Sequence, residues 1–405
     1  MKKLMGICAL VCGLSVAAQA QATDSVAKKE KIVKVSGLMH ADFQWGQKDA
    51  KLNVGVANED AASSFSRIGL RRGFFKVSAE EGLFSAVFMT NITEKGFTLK
   101  DAYLAVRDPW TGNNTLKAGV FDRPFGNEIS FSSGRRESPE RSALFQNLFP
   151  EEKDLGVSLQ LQPGKKSPLH FLKLEAGLFA GNGVKVETDS RKDFIAHLSA
   201  SKNLSPHWQL GGGVSYYFGG VYQGTAQVFT MTNKTFVLDS HPGNIGKYAR
   251  REYFGIDFQG SYTGFLGTTT LRAEYIFGSQ PGSLSSSKSP NAATRPTHDT
   301  YIRSFQGGYV IFVQSLGNNP VSLVAKYELY DPNKRISSNE IGQHGSGAGD
   351  IAVTTLGFGA FWDMTSSLRL HAYYDMPTIE KSLNLEGYEK WMEGDVLTLR
   401  LQYRF

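Results

Sequence analysis

Apolar and polar residues alternate with a period of two along most of the chain, most clearly at its end. In residues 395–405, Leu397, Leu399, Leu401, Tyr403 and Phe405 share one parity, and Thr398, Arg400, Gln402 and Arg404 share the other. That is the signature of a strand with one apolar and one polar face. In water such a strand is a poor edge, because nothing covers its apolar face or its unpaired amides. Both faults vanish in a closed barrel set in a bilayer. The apolar face meets lipid, the polar face meets a watery lumen, and pairing with the first strand satisfies the backbone. The first segment, 32–45, has the matching pattern, with Val33, Val35, Met39, Ala41 and Phe43 outward and Lys34, Ser36, His40, Asp42 and Gln44 inward.

Sixteen such segments are read along the chain: 32–45, 65–79, 83–91, 98–107, 115–121, 154–162, 169–179, 193–201, 208–218, 251–263, 268–278, 301–314, 321–330, 351–362, 367–376 and 395–405. Odd-to-even connections are the long ones, apart from the short link at 92–97, and even-to-odd connections are turns. A soluble sandwich gives no reason for this alternation, whereas a transmembrane antiparallel β-barrel with long extracellular loops and short periplasmic turns requires it. The predicted fold is therefore all-β, a barrel of about sixteen strands over residues 32–405. The long connection 219–250 reads as a loop, and the Ser-, Pro- and Gly-rich stretch 279–300 reads as a mobile one.

The N-terminus supports export. Lys2 and Lys3 precede an apolar run from Leu4 to Ala18, and Ala18-Gln19-Ala20 offers a small-x-small cleavage pattern, so 1–20 is read as a signal peptide and 21–31 as a periplasmic segment before the barrel. Both cysteines, Cys8 and Cys12, fall inside the leader. The mature chain then has no disulfide, thiol or cysteine-metal chemistry. Removing Lys2 and Lys3 lowers the formal charge from +6 to +4, too small an excess to point to nucleic acid. Beyond the leader no apolar stretch approaches 18 residues, which excludes a helical membrane protein. The 43 glycines, 27 phenylalanines and 16 tyrosines suit many half-buried strands with aromatic girdles instead.

Several stretches together carry a family resemblance. Lys117-Ala118-Gly119-Val120-Phe121 runs into Arg123-Pro124-Phe125-Gly126; the pair Glu140-Arg141 is followed by Phe149-Pro150; GLFAGNG lies at 177–183, FQGGYV at 305–310 and KYELYDPN at 326–333. In this order and spacing the chain resembles the phosphate-selective porins of the porin O and P type, sixteen-stranded channels of the Gram-negative outer membrane. The terminal Phe405, preceded by alternating Leu and Tyr, also resembles the assembly signal of outer-membrane barrels. The resemblance implies an outer-membrane location, contact with lipid and lipopolysaccharide, assembly through the barrel-assembly machinery, a homotrimer and passage of small anions or other hydrophilic solutes. It also implies that loop 122–153 folds into the barrel as a constriction loop.

A sixteen-stranded barrel is wide enough for water, so selectivity needs something inside it. Loop 122–153 has turn residues to fold back (Pro124, Gly126, Gly134, Pro139, Pro150) and an apolar run, 142–149, to pack against the wall. Its charges are near balance, with Arg123, Arg135, Arg136, Arg141 and Lys153 set against Glu128, Glu137, Glu140, Glu151, Glu152 and Asp154. A dedicated oxyanion trap is lopsidedly basic, so the expected anion preference is weak. By strand parity the wall leans modestly basic. The residues expected to line the pore and guide anions are Arg67, Arg71, Lys117, Arg135, Arg136, Arg141, Arg272, Arg369 and Arg400. For Arg67 and Arg71 the competing reading is that they pair with carboxylates and brace the wall.

Catalysis finds little support. His40 with Asp42, and His197, His371 and Asp375, are lumen-side groups of acid-base type, but no HExxH, GxSxG or phosphate loop accompanies them. No cofactor or metal is expected, and the chain is not read as an enzyme. Two other readings remain: a surface adhesin or scaffold acting through its long loops, and a gated channel for organic solutes. An inward position of loop 122–153 favours a channel; an outward one favours a surface role.

Overall fold

The computed structural model describes residues 31–60, 62–289 and 295–405, so the predicted leader and most of the segment after it lie outside the described residues. Eighteen strands form one continuous antiparallel sheet with a single short parallel contact. They are β1 (Ile32–Gly46), β2 (Phe65–Glu81), β3 (Phe84–Thr93), β4 (Gly96–Arg107), β5 (Thr115–Asp122), β6 (Lys153–Leu161), β7 (Leu172–Phe179), β8 (Asp193–Asn203), β9 (Trp208–Tyr222), β10 (Gln227–Thr232), β11 (Thr235–Ser240), β12 (Tyr248–Gly264), β13 (Gly267–Gly282), β14 (Thr300–Ser315), β15 (Val321–Asp331), β16 (Val353–Asp363), β17 (Leu368–Ile379) and β18 (Val396–Arg404).

Sixteen of them, β1–β9 and β12–β18, make the wall. It closes where β1 pairs with β18, from Leu38↔Arg404 to Gly46↔Val396, and Phe405 exchanges backbone bonds with Gly37. The parity read from the terminal segment holds: Leu399 and Tyr403 are 41% and 44% exposed, while Thr398 and Gln402 are 1% and 0% exposed. Around the barrel the outward positions form an apolar belt that includes Val35, Phe88, Leu104, Val214, Ile256 and Phe358, the surface of a protein whose outer solvent is lipid. The short turns gather at one end and the long connections at the other.

Two expectations about the long connections are corrected. Connection 219–250 is no plain loop, because it carries the hairpin β10–β11, whose register closes at Thr232↔Thr235. Its two turn residues, Asn233 and Lys234, both have positive φ (47° and 68°), the geometry that matches the strand twist in a two-residue hairpin. Lys234 stands where glycine usually signals such a turn, which hid it. The hairpin lies outside the wall, joined to the start of β14 by parallel pairs Val228↔Thr300 to Thr230↔Ile302. Its Met231 and Phe236 pack with Tyr301, Ile336, Ile341 and Ile351 over the long-loop end.

The stretch after β13, expected to be a mobile loop, is pinned as far as Ser289. Arg303 donates to the Ser283 and Leu284 carbonyls, Tyr330 to Ser287, and Arg251 to Ser289.

Candidate functional site

Loop 122–153 runs from the end of β5 to the start of β6, and its contacts circle the interior of the barrel. At its entry Arg123 pairs with Asp154 at 3.1 Å. Gly126, at φ 62°, donates its N–H to Ser215 of β9 at 2.8 Å, and the N–H groups of Asn127 and Glu128 donate to Glu274 of β13. A Cβ at Gly126 would collide with the Glu274 carboxylate, so glycine is needed for space as well as for backbone geometry. Glu128 then accepts the Ser142 N–H and hydroxyl at 3.0 and 2.6 Å, which ties the loop to itself.

The predicted apolar run forms one short helix, α1 (Ala143–Leu148), with Leu144, Phe145 and Leu148 buried. Phe149 sits edge-on to Tyr217 and Tyr253 at ring distances of 6.0 and 5.7 Å, and Phe145 meets Tyr309 at 6.5 Å. These rings belong to one buried cluster reaching Phe179 and Phe305 on the wall. The loop therefore shares a hydrophobic core with apolar inward residues of the wall, among them Phe179, Ile195, Ile276 and Phe305.

The opposite flank of the loop is held by charge. The Glu140 carboxylate receives Arg71 at 2.8 and 2.9 Å, Arg72 at 2.7 Å and Arg400 at 3.2 Å. Arg400 also grips Asp42 at 2.7 and 2.8 Å and donates to the Pro139 carbonyl. Glu137 pairs with Arg272, and the Gly134 carbonyl accepts from Gln402 and Arg404. Glu152 lies between Arg141 at 3.6 Å and Lys100 at 3.5 Å. Burial favours the neutral forms of Glu140 and Glu152, but Arg72, Arg71 and Arg400 around the first, and Arg141, Lys100 and Lys153 around the second, hold both well below the ordinary carboxylate range. Both stay ionised at neutral pH.

Two strand irregularities supply much of this positive charge. Opposite the bulge between His40 and Ala41, β1 pairs Arg72 and then Leu70, so Arg71 is the extra residue and both arginines turn inward. In the β3–β4 pairing Met89 faces Asp101 and Thr90 faces Leu99, so Lys100 is the extra residue and points inward beside Asp101. Bulges re-aim side chains in this way. Strict alternation assigned Arg72 and Lys100 to the lipid side; two neighbouring charges in one strand were the available signal.

The space left inside is divided by the loop. On the side of the long connections a cavity of about 410 Å³ is lined by Arg71, Arg72, Lys100, Arg141 and Lys288, with Glu140 and Glu152 as its carboxylates. Toward the turns lies a cavity of about 360 Å³ containing Lys76, Asp101, Asp122 and Lys153. Phe74, Arg141 and Glu152 border both cavities, which places the neck between them. Across the loop a third cavity, with Glu140, Glu328, Asp375 and Glu393 against Lys51, Arg141 and Lys326, has one more carboxylate than cations. The basic and acidic faces thus oppose one another across the loop.

The sequence-predicted residues divide accordingly. Arg71 and Arg141 face the basic cavity. Arg67 is spent on the β1–β2 connection, donating to the carbonyls of Val56 and Ala57. Lys117 is paired with Glu175 at 3.0 Å, Arg272 with Glu137, and Arg369 with Asp363 at 2.6 Å. Arg400 and Arg136 are buried; Arg135 is exposed on the loop. The histidines form no reactive set among the described residues. His40 bonds Gln402 at 2.8 Å while Asp42 is taken by Arg400, His197 bonds Asp257 at 2.9 Å, and His371 is buried beside Phe361.

No family model matches the chain, and no curated protein matches it in sequence. Solved structures do match in shape. Pseudomonas putida OprB aligns with TM-score 0.57 at 11% identity over 92% of this chain and 94% of its own. Salmonella typhi OmpF, in complex with daunomycin, aligns with TM-score 0.56 at 9% identity over 93% of this chain and all of its own. The trimer form of the Vibrio cholerae outer membrane protein OmpT aligns with TM-score 0.54 at 11% identity, covering 93% and 99%. The chain therefore has the closed sixteen-stranded antiparallel barrel fold of these outer-membrane proteins.

Proposed function

We propose that the chain is a diffusion channel of a Gram-negative outer membrane, passing small hydrophilic solutes with a weak preference for anions. The observation that carries this reading is the loop held inside a closed barrel, with a basic cavity between it and β2–β4. That cavity carries five cationic side chains against two carboxylates, an excess that raises the local anion concentration. At about 410 Å³ it holds on the order of a dozen waters or more, so an ion inside it keeps water around it. Phosphate then competes with other small anions and is not stripped and trapped. Arg71, Arg72, Lys100 and Arg141 set the field at the neck. Lys117, Arg272, Arg369 and Arg400 brace the wall and loop through their carboxylate partners, and Arg67 secures the first long connection.

The apolar belt would contact lipid and lipopolysaccharide, and the terminal strand ending in Phe405 would engage the assembly machinery. A homotrimer fits the upper part of β2, residues 65–73. The β3 register begins only at Phe74, Glu94 alone covers the Leu70 amide, and Ile68 is 78% exposed. In lipid an exposed edge of this kind needs a partner.

The test is the reversal potential of the purified protein in a planar bilayer under a salt gradient, wild type beside Lys100→Gln. An anion-directed potential that shrinks in the variant supports the reading. Absence of current refutes it and moves the adhesin or scaffold reading ahead.

A further inference from the structure

The pore interior is shaped by more than loop 122–153. In the closed wall, β13 and β14 stand across the barrel from β2–β4, yet the connection following β13 reaches the cavity on the β2–β4 side. Residues 283–289 fold inward and are anchored on alternate positions. Buried Ser287 accepts from Tyr330 at 3.2 Å. Buried Ser289 accepts from Arg251 at 2.8 Å, and its N–H donates to the Asn147 carbonyl of α1 at 2.7 Å. The stretch bends at Lys288, and this residue is exposed between two buried serines. Pinning the two serines therefore turns Lys288 the other way, exposed, into the basic cavity.

Lys288 differs from the other four cations there. Arg71 and Arg72 share Glu140, and Lys100 and Arg141 share Glu152. Lys288 has no carboxylate partner among the described residues. A cation already matched by a carboxylate within 4 Å presents little net field to a passing ion, whereas an unmatched ammonium presents nearly all of its own.

We propose that residues 283–289, which follow β13, are a second constriction element, and that Lys288, carried across the lumen by the Ser287 and Ser289 anchors, is a specificity-determining residue for permeant oxyanions and carboxylates. The proposal rests on the channel reading. The two loops act as one unit, because the Ser289–Asn147 bond fixes the distance between Lys288 and the paired charges of the first loop.

The test uses the full barrel in planar bilayers with Lys288→Gln, Lys288→Arg and Lys288→Cys, the last in a mature chain with no other cysteine. Lys288→Gln is expected to lower the chloride-to-potassium permeability ratio about threefold, the scale of one unit charge acting through water on an ion some 6 Å away, and Lys288→Arg is expected to retain the ratio. An anionic methanethiosulfonate on Lys288→Cys is expected to push the ratio further toward cations, and a cationic one to restore it. If neither reagent changes the current or the ratio, Lys288 does not face the permeation path and the proposal falls, even though wild-type current and anion preference stand. If wild type itself carries no current, the channel reading fails first. A Ser287→Ala/Ser289→Ala variant tests the anchors. It is expected to raise unit conductance and reduce the preference, and an unchanged channel in that variant refutes the serine anchors.

Discussion

Glu140→Gln separates the two jobs of the charged flank of the loop. The carboxylate accepts five guanidinium contacts, from Arg71, Arg72 and Arg400, between 2.7 and 3.3 Å. Arg400 keeps Asp42 in the variant, but Arg71 and Arg72 lose the carboxylate they share. Removing one partner of a buried pair costs about 3–5 kcal/mol. The glutamate side chain is 15% exposed and glutamine still offers one acceptor, so about 2 kcal/mol is the better figure here. Each phenylalanine that seats the loop is worth about 3–5 kcal/mol on truncation. The aromatic core therefore wins, and the loop is expected to stay inside the barrel. The electrostatic effect remains: one unbalanced positive charge some 6 Å from the path is worth about 0.7 kcal/mol through water, roughly a threefold rise in local anion concentration. The anion-to-cation permeability ratio read from reversal potentials should thus rise about threefold while unit conductance changes by less than half. A potential that does not move refutes the neck assignment. A several-fold jump in conductance shows instead that Glu140, and not the aromatic core, holds the loop in place.

The converse variant, Phe149→Ala, removes a ring packed on Phe125, Tyr217 and Tyr253 and should loosen the loop by about 3–5 kcal/mol. Single-channel recordings are expected to show larger and noisier conductance with the barrel still folded by circular dichroism; unchanged traces count against an aromatic seat. The pH dependence follows from Glu140, whose carboxyl is depressed well below its ordinary value of 4.5 by Arg72, Arg71 and Arg400 against the opposing effect of burial. A depressed folded value means the stabilisation is fully present above about pH 4.5 and is lost as pH falls through the lower native value. Anion preference is accordingly expected to be flat from pH 8 to 5 and to rise only in stronger acid, with the acid step missing in Glu140→Gln. A step between pH 5 and 7 assigns the change to another group.

The wall was legible because lipid outside and water inside demand opposite side chains at every second position. Val33 to Phe43 and Leu397 to Tyr403 could be placed without any knowledge of their partners, and closure followed from the need to pair the terminal strand. The inward fold of loop 122–153 was implied by the family resemblance, and its apolar run, Ser142 to Phe149, offered a surface to pack it against the wall. Parity failed where pairing is irregular. The inward turn of Arg72 and Lys100 depends on bulges set by their neighbours across the sheet, and the β10–β11 hairpin turns on Asn233-Lys234 without the usual glycine.

What tertiary structure alone decided is which charges are spent and which are free. Arg67, Arg272, Arg369 and Arg400 look like pore cations in sequence, but Arg272 and Arg400 meet carboxylates from distant parts of the chain, Arg369 meets Asp363 across a turn, and Arg67 meets carbonyls of the β1–β2 connection. Lys288, in a stretch that reads as loose loop, is brought to the cavity by two serine anchors on the far wall. Period-two alternation is a local property fixed by the two solvents each strand faces, so sequence determines it. Net field at a point depends on every ionic partner within a few ångströms, and those partners meet only when the barrel closes.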